Sequence, residues 1–126
     1  MIIETTFIKD LLLLTPQVYS DERGYFMESY NKLRIGKMIK DDFVQDNESL
    51  SKKNVLRGLH LQLPPHPQAK LIRVIKGSIL DVAVDLRTNS DTYGQHFKHV
   101  LSGENKKQLY VPLGFAHGFL TLEDDT

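Results

Sequence analysis

The chain contains no cysteine among its 126 residues, which excludes both a disulfide framework and a thiolate zinc site. It also lacks a long apolar run. The longest, four leucines at 11–14, falls far short of the roughly 20 residues that a membrane-spanning helix needs. The segment 1–10 has neither the basic nor the apolar region of a secretory signal peptide. These absences predict a soluble cytoplasmic protein.

The chain has no excess of charge of either sign. Lys+Arg and Asp+Glu both number 16, so the formal net charge is zero. A general binder of nucleic acid or of membrane surfaces carries a basic excess, and the balance therefore argues against both. What remains is an ordinary globular composition, 40% hydrophobic and 25% charged. We expect residues 1–126 to form one domain.

Short β-like segments bounded by turn residues dominate the chain. Gly77 supplies the positive φ of a predicted tight hairpin. One short helix is predicted after the N-cap Asn31, with Leu33, Ile35, Met38 and Ile39 on one face. Many short strands with one small helix are typical of a jelly roll, an all-β double-sheet barrel. The predicted strands are 2–7, 11–19 with a break at Pro16, 25–30, 43–51, 55–62, 71–75, 79–86, 95–101, 108–111 and 118–122.

The strand predicted at 79–86 carries two carboxylates on one face. Side chains alternate along a strand, so Asp81 and Asp85 share a side with Ile79 and Ala83. Two carboxylates in a dry core would be costly. We therefore predict that this face lines a polar cavity.

The segment 57–62, Arg-Gly-Leu-His-Leu-Gln, is the first candidate for chemistry. Strand alternation places His60 and Gln62 on one face with Gly58, and Arg57 on the other, unless a bulge at Gly58 rotates the strand. A histidine here is a base, a metal ligand or a hydrogen-bonded core residue, and the residues alone leave these open. We predict no metal, because no second histidine or carboxylate completes a ligand set.

Two further segments carry candidate groups. Lys70 begins a strand after a proline-rich loop, where it is either a solvated cation or, beside His60, a group that stabilises a developing oxyanion. His117 lies between two small residues and is interpreted as a histidine bonded to a carboxylate, with Asp81 as the natural partner. That pairing is structural or fixes a functional tautomer. A nucleophilic mechanism has little support, since the chain has no serine in a nucleophile elbow.

Other polar residues suit a charged ligand. The guanidinium groups of Arg23 and Arg57 make bidentate bonds to phosphate oxygens, which suits a diphosphate. Glu28, Gln45 and Asn47 lie on or beside predicted strands. They either read a base edge or are ordinary surface residues.

Six motifs resemble the dTDP-4-dehydrorhamnose 3,5-epimerase family and occur in its order and spacing. They are DERGYF at 21–26, VQDN at 44–47, VLRGLH at 55–60, QAKL at 68–71, DVAVD at 81–85 and GFAHGF at 114–119. The resemblance covers nearly the whole chain. It implies a homodimeric jelly-roll cupin without metal or other cofactor. It also implies inversion of C3 and C5 in dTDP-4-dehydro-6-deoxy-D-glucose, giving dTDP-4-dehydro-L-rhamnose through an enolate.

The same resemblance implies roles for particular residues. His60 would be the general base and Lys70 the group that steadies the enolate oxygen. Arg23 and Arg57 would hold the diphosphate. The other residues placed around the substrate are Glu28, Gln45, Asp46 and Asn47 at the nucleotide end and His117 near the sugar, with Asp81 and Gln62 in supporting positions.

The chain departs from the family pattern at its C-terminus. The family's chains continue beyond Thr126 with a tyrosine acid and an aspartate that orients the catalytic histidine. Tyr110 belongs to a different strand and does not take the tyrosine's role. We therefore expect an incomplete domain with little or no epimerase activity alone. The alternatives are a non-catalytic nucleotide-sugar-binding remnant, a 3- or 5-epimerase and a ketoisomerase cupin. The expected pathway is dTDP-L-rhamnose synthesis, for example for the O-antigen of lipopolysaccharide.

Overall fold

The computed structural model describes all of residues 1–126 as two four-stranded sheets, one two-stranded hairpin and one short helix. No helix has the length and apolar content that crossing a bilayer requires. The elements in chain order are β1 (Ile2–Thr5), β2 (Leu12–Thr15), β3 (Val18–Asp21), β4 (Gly24–Met27), α1 (Lys32–Ile35), β5 (Leu56–His60), β6 (Lys70–Arg73), β7 (Ser78–Asp85), β8 (His96–Ser102), β9 (Gln108–Val111) and β10 (Phe115–Thr121).

The strand order is that of two interleaved antiparallel sheets. One sheet has the order β1-β2-β9-β6 and the other the order β5-β10-β7-β8. Strands β3 and β4 pair only with each other. Apart from β1–β2 and β7–β8, neighbours within a sheet come from distant parts of the chain, as in a jelly roll. The predicted all-β fold with one short helix is confirmed.

Two apolar clusters hold these layers together. The larger lies between the sheets and joins Leu13 of β2 and Val111 of β9 to Ile79 and Ala83 of β7. The smaller covers the outer face of the β1-β2-β9-β6 sheet, where Ile35 and Ile39 pack on Leu12, Leu14 and Tyr110. The β1-β2-β9-β6 sheet is thus packed on both faces, and residues one apart on its strands belong to different clusters.

Helix α1 begins as predicted and ends sooner than predicted. The Asn31 side-chain oxygen accepts from the backbone N–H groups of Leu33 and Arg34, at 3.1 and 3.2 Å, which is an N-cap. Ile35 and Ile39 are buried, but Leu33 is 88% exposed and Met38 is 44% exposed. The prediction of a four-residue apolar face is therefore correct for Ile35 and Ile39 and wrong for Leu33 and Met38, because a single helical turn presents only one narrow side to the sheet.

One strand prediction and one hairpin prediction are wrong. Residues 43–51 form no strand and run as a loop that is exposed from Val44 to Leu50. The predicted hairpin at Gly77 is a crossover instead, because β6 pairs with β9 while β7 pairs with β10 and β8. Gly77 does have a positive φ of 73°, which turns the chain from one sheet to the other.

Candidate active site

A β-bulge in β5 decides which of its side chains face the interior. His60 pairs with His117 of β10, whereas Arg57 pairs with Phe119, so the register shifts by one residue between the two pairs. Cross-strand partners point to the same side of a sheet, and Phe119 packs against the core between the sheets. Arg57 and His60 therefore share the inner face. Strict alternation placed them on opposite faces, and the stated alternative of a bulge near Gly58 is the one found, because one extra residue of β5 lies between the two pairs.

The His60 ring has a defined tautomer in this position. Its Nδ1 lies 3.0 Å from the carbonyl oxygen of Gly58. A carbonyl only accepts hydrogen bonds, so Nδ1 carries the proton and Nε2 presents a lone pair. The His60 and His117 ring centroids are 6.4 Å apart. With Nδ1 bonded to Gly58, Nε2 is the ring nitrogen left to remove a proton at the open edge of the sheet.

Arg57 is fixed beside the two histidines by contacts on both sides. Its Nη2 donates to the Ser51 hydroxyl oxygen at 3.0 Å, and its guanidinium carbon lies 5.8 Å from the centroid of the Phe119 ring. Ser51 is itself buried and exchanges two backbone hydrogen bonds with Thr126. Sequence reasoning missed Ser51, since nothing in its local pattern marks it. Its contact with Arg57 depends on the turn between them.

His117 and Asp81 form a buried pair. The His117 Nε2 lies 2.5 Å from the Asp81 Oδ1, and the two residues are 4% and 0% exposed. Because a carboxylate accepts, Nε2 of His117 holds the proton of this hydrogen bond. The structure thus places the two residues in the pairing that the sequence suggested.

The inner face of β7 is a mixture of core and polar groups. Ile79 and Ala83 belong to the apolar cluster between the sheets, so the predicted polar cavity along the whole face is corrected to isolated carboxylate sites. Asp85 is held by the Arg87 guanidinium, with distances of 2.9 and 2.8 Å. This contact keeps the pKa of Asp85 well below its usual range.

Lys70 faces the same inter-sheet space from the opposite sheet. It pairs with Val111, whose side chain belongs to the central core. Lys70 is half-buried, and burial lowers its pKa. Phe7, just after β1, contacts Phe97 of β8 with ring centroids 6.1 Å apart. The β1 edge therefore lies over the β8 edge, which leaves β6 and β5 together at the other end of the sandwich.

The residues expected at the nucleotide end lie outside this cluster. Arg23 is in the β3–β4 turn with its side chain 86% exposed, and it pairs with Asp21 at 2.6 Å. Glu28 follows β4, accepts from the Asn31 amide at 2.9 Å and lies 3.3 Å from Arg34.

The remaining expected residues are exposed. Gln45 donates to Asn47 at 3.0 Å within the loop that also carries Asp46. Gln62 lies just beyond the end of β5. The structure thus brings Arg57, His60, His117 and Asp81 together, with Lys70 opposite. The other predicted positions stay on the periphery.

Tyr110 is separated from the cluster by the sheet itself. It belongs to the outer apolar cluster, and its hydroxyl donates to Asp41. Burial, followed by the hydrogen bond to Asp41, raises the pKa of this phenol. Tyr110 lies on the face of β9 away from Lys70 and does not reach the inter-sheet space.

Comparisons with known proteins agree with this geometry. The family model described as dTDP-4-dehydrorhamnose 3,5-epimerase matches residues 5–126. This chain belongs to the dTDP-4-dehydrorhamnose 3,5-epimerase family. The dTDP-4-dehydrorhamnose 3,5-epimerase of Salmonella typhimurium is 54% identical over 126 residues, covering 98% of this chain and 69% of the relative. A member from Methanothermobacter thermautotrophicus is 53% identical, covering 95% of this chain and 65% of the relative.

Solved structures of epimerases from this family have the same fold. The dTDP-4-dehydrorhamnose 3,5-epimerase of Elizabethkingia anophelis is 50% identical with a TM-score of 0.92, over 98% of this chain and 69% of that one. The Legionella pneumophila enzyme, in complex with dTDP-4-keto-L-rhamnose, is 50% identical with a TM-score of 0.92, over 96% and 65%. The chain thus spans about two thirds of the length of these relatives. The resemblance carried by the six motifs is confirmed, and by family the chain is a sugar-nucleotide epimerase, an isomerase.

Proposed function

We propose that this chain epimerises C3 and C5 of dTDP-4-dehydro-6-deoxy-D-glucose, giving dTDP-4-dehydro-L-rhamnose in dTDP-L-rhamnose synthesis. The observation that carries the proposal is the β5 bulge, which turns His60 and Arg57 together into the space that Lys70 faces from the other sheet. The names of the relatives and the keto sugar bound by the Legionella pneumophila enzyme support the substrate.

The reaction follows from the position of the ketone. C3 and C5 both flank the C4 carbonyl, so loss of a proton from either carbon places the electron pair on O4 as an enolate. The free Nε2 of His60 takes that proton. The Lys70 ammonium stabilises the charge on O4. Because burial lowers the pKa of Lys70, the ammonium is a stronger hydrogen-bond donor than an exposed lysine.

The diphosphate is assigned to the cations. Arg57, held by Ser51 and Phe119, presents a fixed guanidinium to one phosphate. Arg23 is proposed as the second phosphate ligand, with Glu28, Gln45, Asp46 and Asn47 toward the base and His117 toward the sugar. Inversion also needs a proton returned from the opposite face of the sugar, and we assign that acid to none of the described tyrosines.

Solvent deuterium exchange tests the proposal. The purified chain is incubated with the keto sugar nucleotide in D₂O, and NMR follows deuterium at C3 and C5. Because the chain alone is expected to have little epimerase activity, we expect slow incorporation at both carbons, reduced by about 10²–10⁴-fold in His60→Asn because a general base is lost. His66→Asn is the matched control, since His66 is exposed in the proline loop. Binding without incorporation would support the nucleotide-sugar-binding alternative, and incorporation at one carbon would support a 3- or 5-epimerase.

We also propose that the chain forms a homodimer through the β3–β4 hairpin. Tyr19 and Phe26 are 64% and 70% exposed on a hairpin that pairs with no other strand. Exposed aromatic patches mark interaction surfaces. Analytical ultracentrifugation should show a dimer that Phe26→Ser weakens and that Leu33→Ser, at a similarly exposed apolar position on α1, leaves intact. A monomer at every concentration would contradict the assignment.

A cytoplasmic location and a role in supplying O-antigen rhamnose are part of the same proposal. A charged nucleotide sugar does not cross a bilayer unaided, so the enzyme should work where its substrate is made. The zero net charge offers no general attraction to nucleic acid or anionic membranes. Fractionation of cells that produce the protein should place it with the soluble proteins, and recovery with membranes would count against this location.

A further inference from the structure

The inner face of β8 carries a histidine that the proposed mechanism does not use. His99 is the cross-strand partner of Asp81. It lies between Phe97 and Leu101 on the face of β8 that packs toward the core. Its ring stacks on that of Phe97, with centroids 6.1 Å apart and planes 8° apart. A partly buried imidazole therefore stands directly opposite the aspartate of the His117 pair.

Asp81 has an unused acceptor on this side. Its Oδ1 is bonded to His117 at 2.5 Å, but its Oδ2 is buried and has no hydrogen-bond partner. The residue is 0% exposed. A buried carboxylate oxygen without a donor costs folding free energy, so a hydrogen bond from a neighbouring donor would stabilise the protein.

His99 is the side chain placed to supply that donor. Directly opposite residues in an antiparallel pair have Cβ atoms about 5 Å apart, within the span of an imidazole and a carboxylate after a rotamer change. We propose that His99 is a positioning residue that shares the carboxylate of Asp81 with His117, so that one buried aspartate holds two imidazoles. This proposal concerns the protein's own histidines and stands apart from the epimerase assignment.

The charges around His99 set the pH at which its ring gains a proton and its interaction with Asp81 changes. The groups that face it are Asp81 from β7, Glu4 from β1 and Lys107 from the segment before β9. Burial first and then Lys107 lower the pKa of His99, while Glu4 and Asp81 act in the opposite direction. The neutral ring has one N–H group to donate to Asp81 Oδ2. When the ring gains a proton, it draws more of the carboxylate's charge and weakens the bond from Asp81 to His117.

Histidine NMR titration tests the coupling without substrate. The ring resonances of the five histidines are assigned by single substitutions and followed against pH in the whole chain. We expect the His117 resonances to show a second inflection at the midpoint of His99, because interacting sites titrate together. In His99→Gln, which keeps an N–H donor but does not titrate, that inflection should disappear. In His96→Gln, on the outer face of β8, it should remain.

The wild-type protein decides the matter even if a variant fails to fold. A His117 curve without an inflection at the His99 midpoint would overturn the proposal, as would an inflection that persists in His99→Gln. His99→Phe adds a second readout: the downfield Nε2 proton of His117 should shift, since Asp81 loses its other donor. Because no step needs the sugar nucleotide, a failure here leaves the deuterium-exchange test of the proposed function unaffected.

Discussion

The closest approach between two strands of the site occurs at Gly118, and adding one methyl group there should disturb the bulge. A Cβ at position 118 would lie 2.7 Å from the Arg57 carbonyl oxygen and 2.9 Å from backbone atoms of Gly58 and Leu59. These are backbone atoms, so they do not yield as a flexible side chain does. Gly118→Ala therefore forces β5 away from β10 at the point where the register shifts.

The size of the effect follows from those distances. Ordinary van der Waals contact begins near 3.4 Å, so the strands must separate by about 0.5–0.7 Å. Overpacking of this kind costs about 1–3 kcal/mol of unfolding free energy. It also moves Arg57 and His60, and a displacement of about 1 Å in a catalytic group lowers the rate by about 10²-fold. Deuterium incorporation should fall by about tenfold or more.

Gly58→Ala is the matched control for the same bulge. A Cβ at position 58 would meet nothing within 4 Å, and the residue has no positive φ. Alanine at a compatible glycine stabilises a protein by about 0.4–1 kcal/mol through the unfolded chain. The two substitutions should therefore have opposite signs in urea unfolding at pH 7, followed by circular dichroism. Gly118→Ala as stable and as reactive as Gly58→Ala would refute the argument from close approach.

Three further substitutions test the framework around the site. Arg87→Met should cost about 3–5 kcal/mol in urea unfolding at pH 7, because it leaves the buried Asp85 without its guanidinium partner. The folded-state pKa of Asp85 is depressed from 3.8. The ion pair's contribution to stability is therefore present above about pH 4 and lost as the pH falls. The difference in unfolding free energy between Arg87→Met and wild type should shrink at pH 3. Tyr110→Phe should cost about 1–3 kcal/mol by removing the donor to Asp41, measured by thermal unfolding. Asn31→Ala should cost about 1 kcal/mol through loss of the helix cap, measured by urea unfolding.

Exposed residues provide the comparisons for these variants. Arg73→Met on β6 and Tyr93→Phe between β7 and β8 remove the same groups from solvent-exposed side chains and should change stability by less than about 0.5 kcal/mol. A loss in Arg87→Met that is equal at pH 7 and pH 3 would show that the ion pair is not its cause. Tyr110→Phe or Asn31→Ala within the range of the controls would count against the assigned hydrogen bonds.

Local signals in the sequence predicted local structure well. Asn31 caps α1 through its own side chain, as predicted. The strand predicted at 108–111 has the bounds of β9. Each of these features depends on residues a few positions apart, so the chain carries the signal where the structure forms.

Features that depend on distant partners were not predictable in the same way. The positive φ of Gly77 fits a hairpin as well as a crossover, and the choice is made by the pairing of β6 with β9. The apolar residues near 43–51 suggest a strand, but Phe43 packs against Tyr110 and the cluster that also contains Ile35. Burial against another element, rather than strand pairing, satisfies this segment.

The sequence by itself determined the family, because six motifs occur in the family's order, and it predicted His60, Lys70 and the arginines as candidate site residues. The tertiary structure alone decided which of those groups share one space. A single extra residue in β5 reverses the side on which Arg57 points relative to strict alternation, and the sheet β1-β2-β9-β6 separates Tyr110 from Lys70. The physical reason is that a side chain's direction in a strand depends on its register with a partner, and register is fixed by packing across the whole fold.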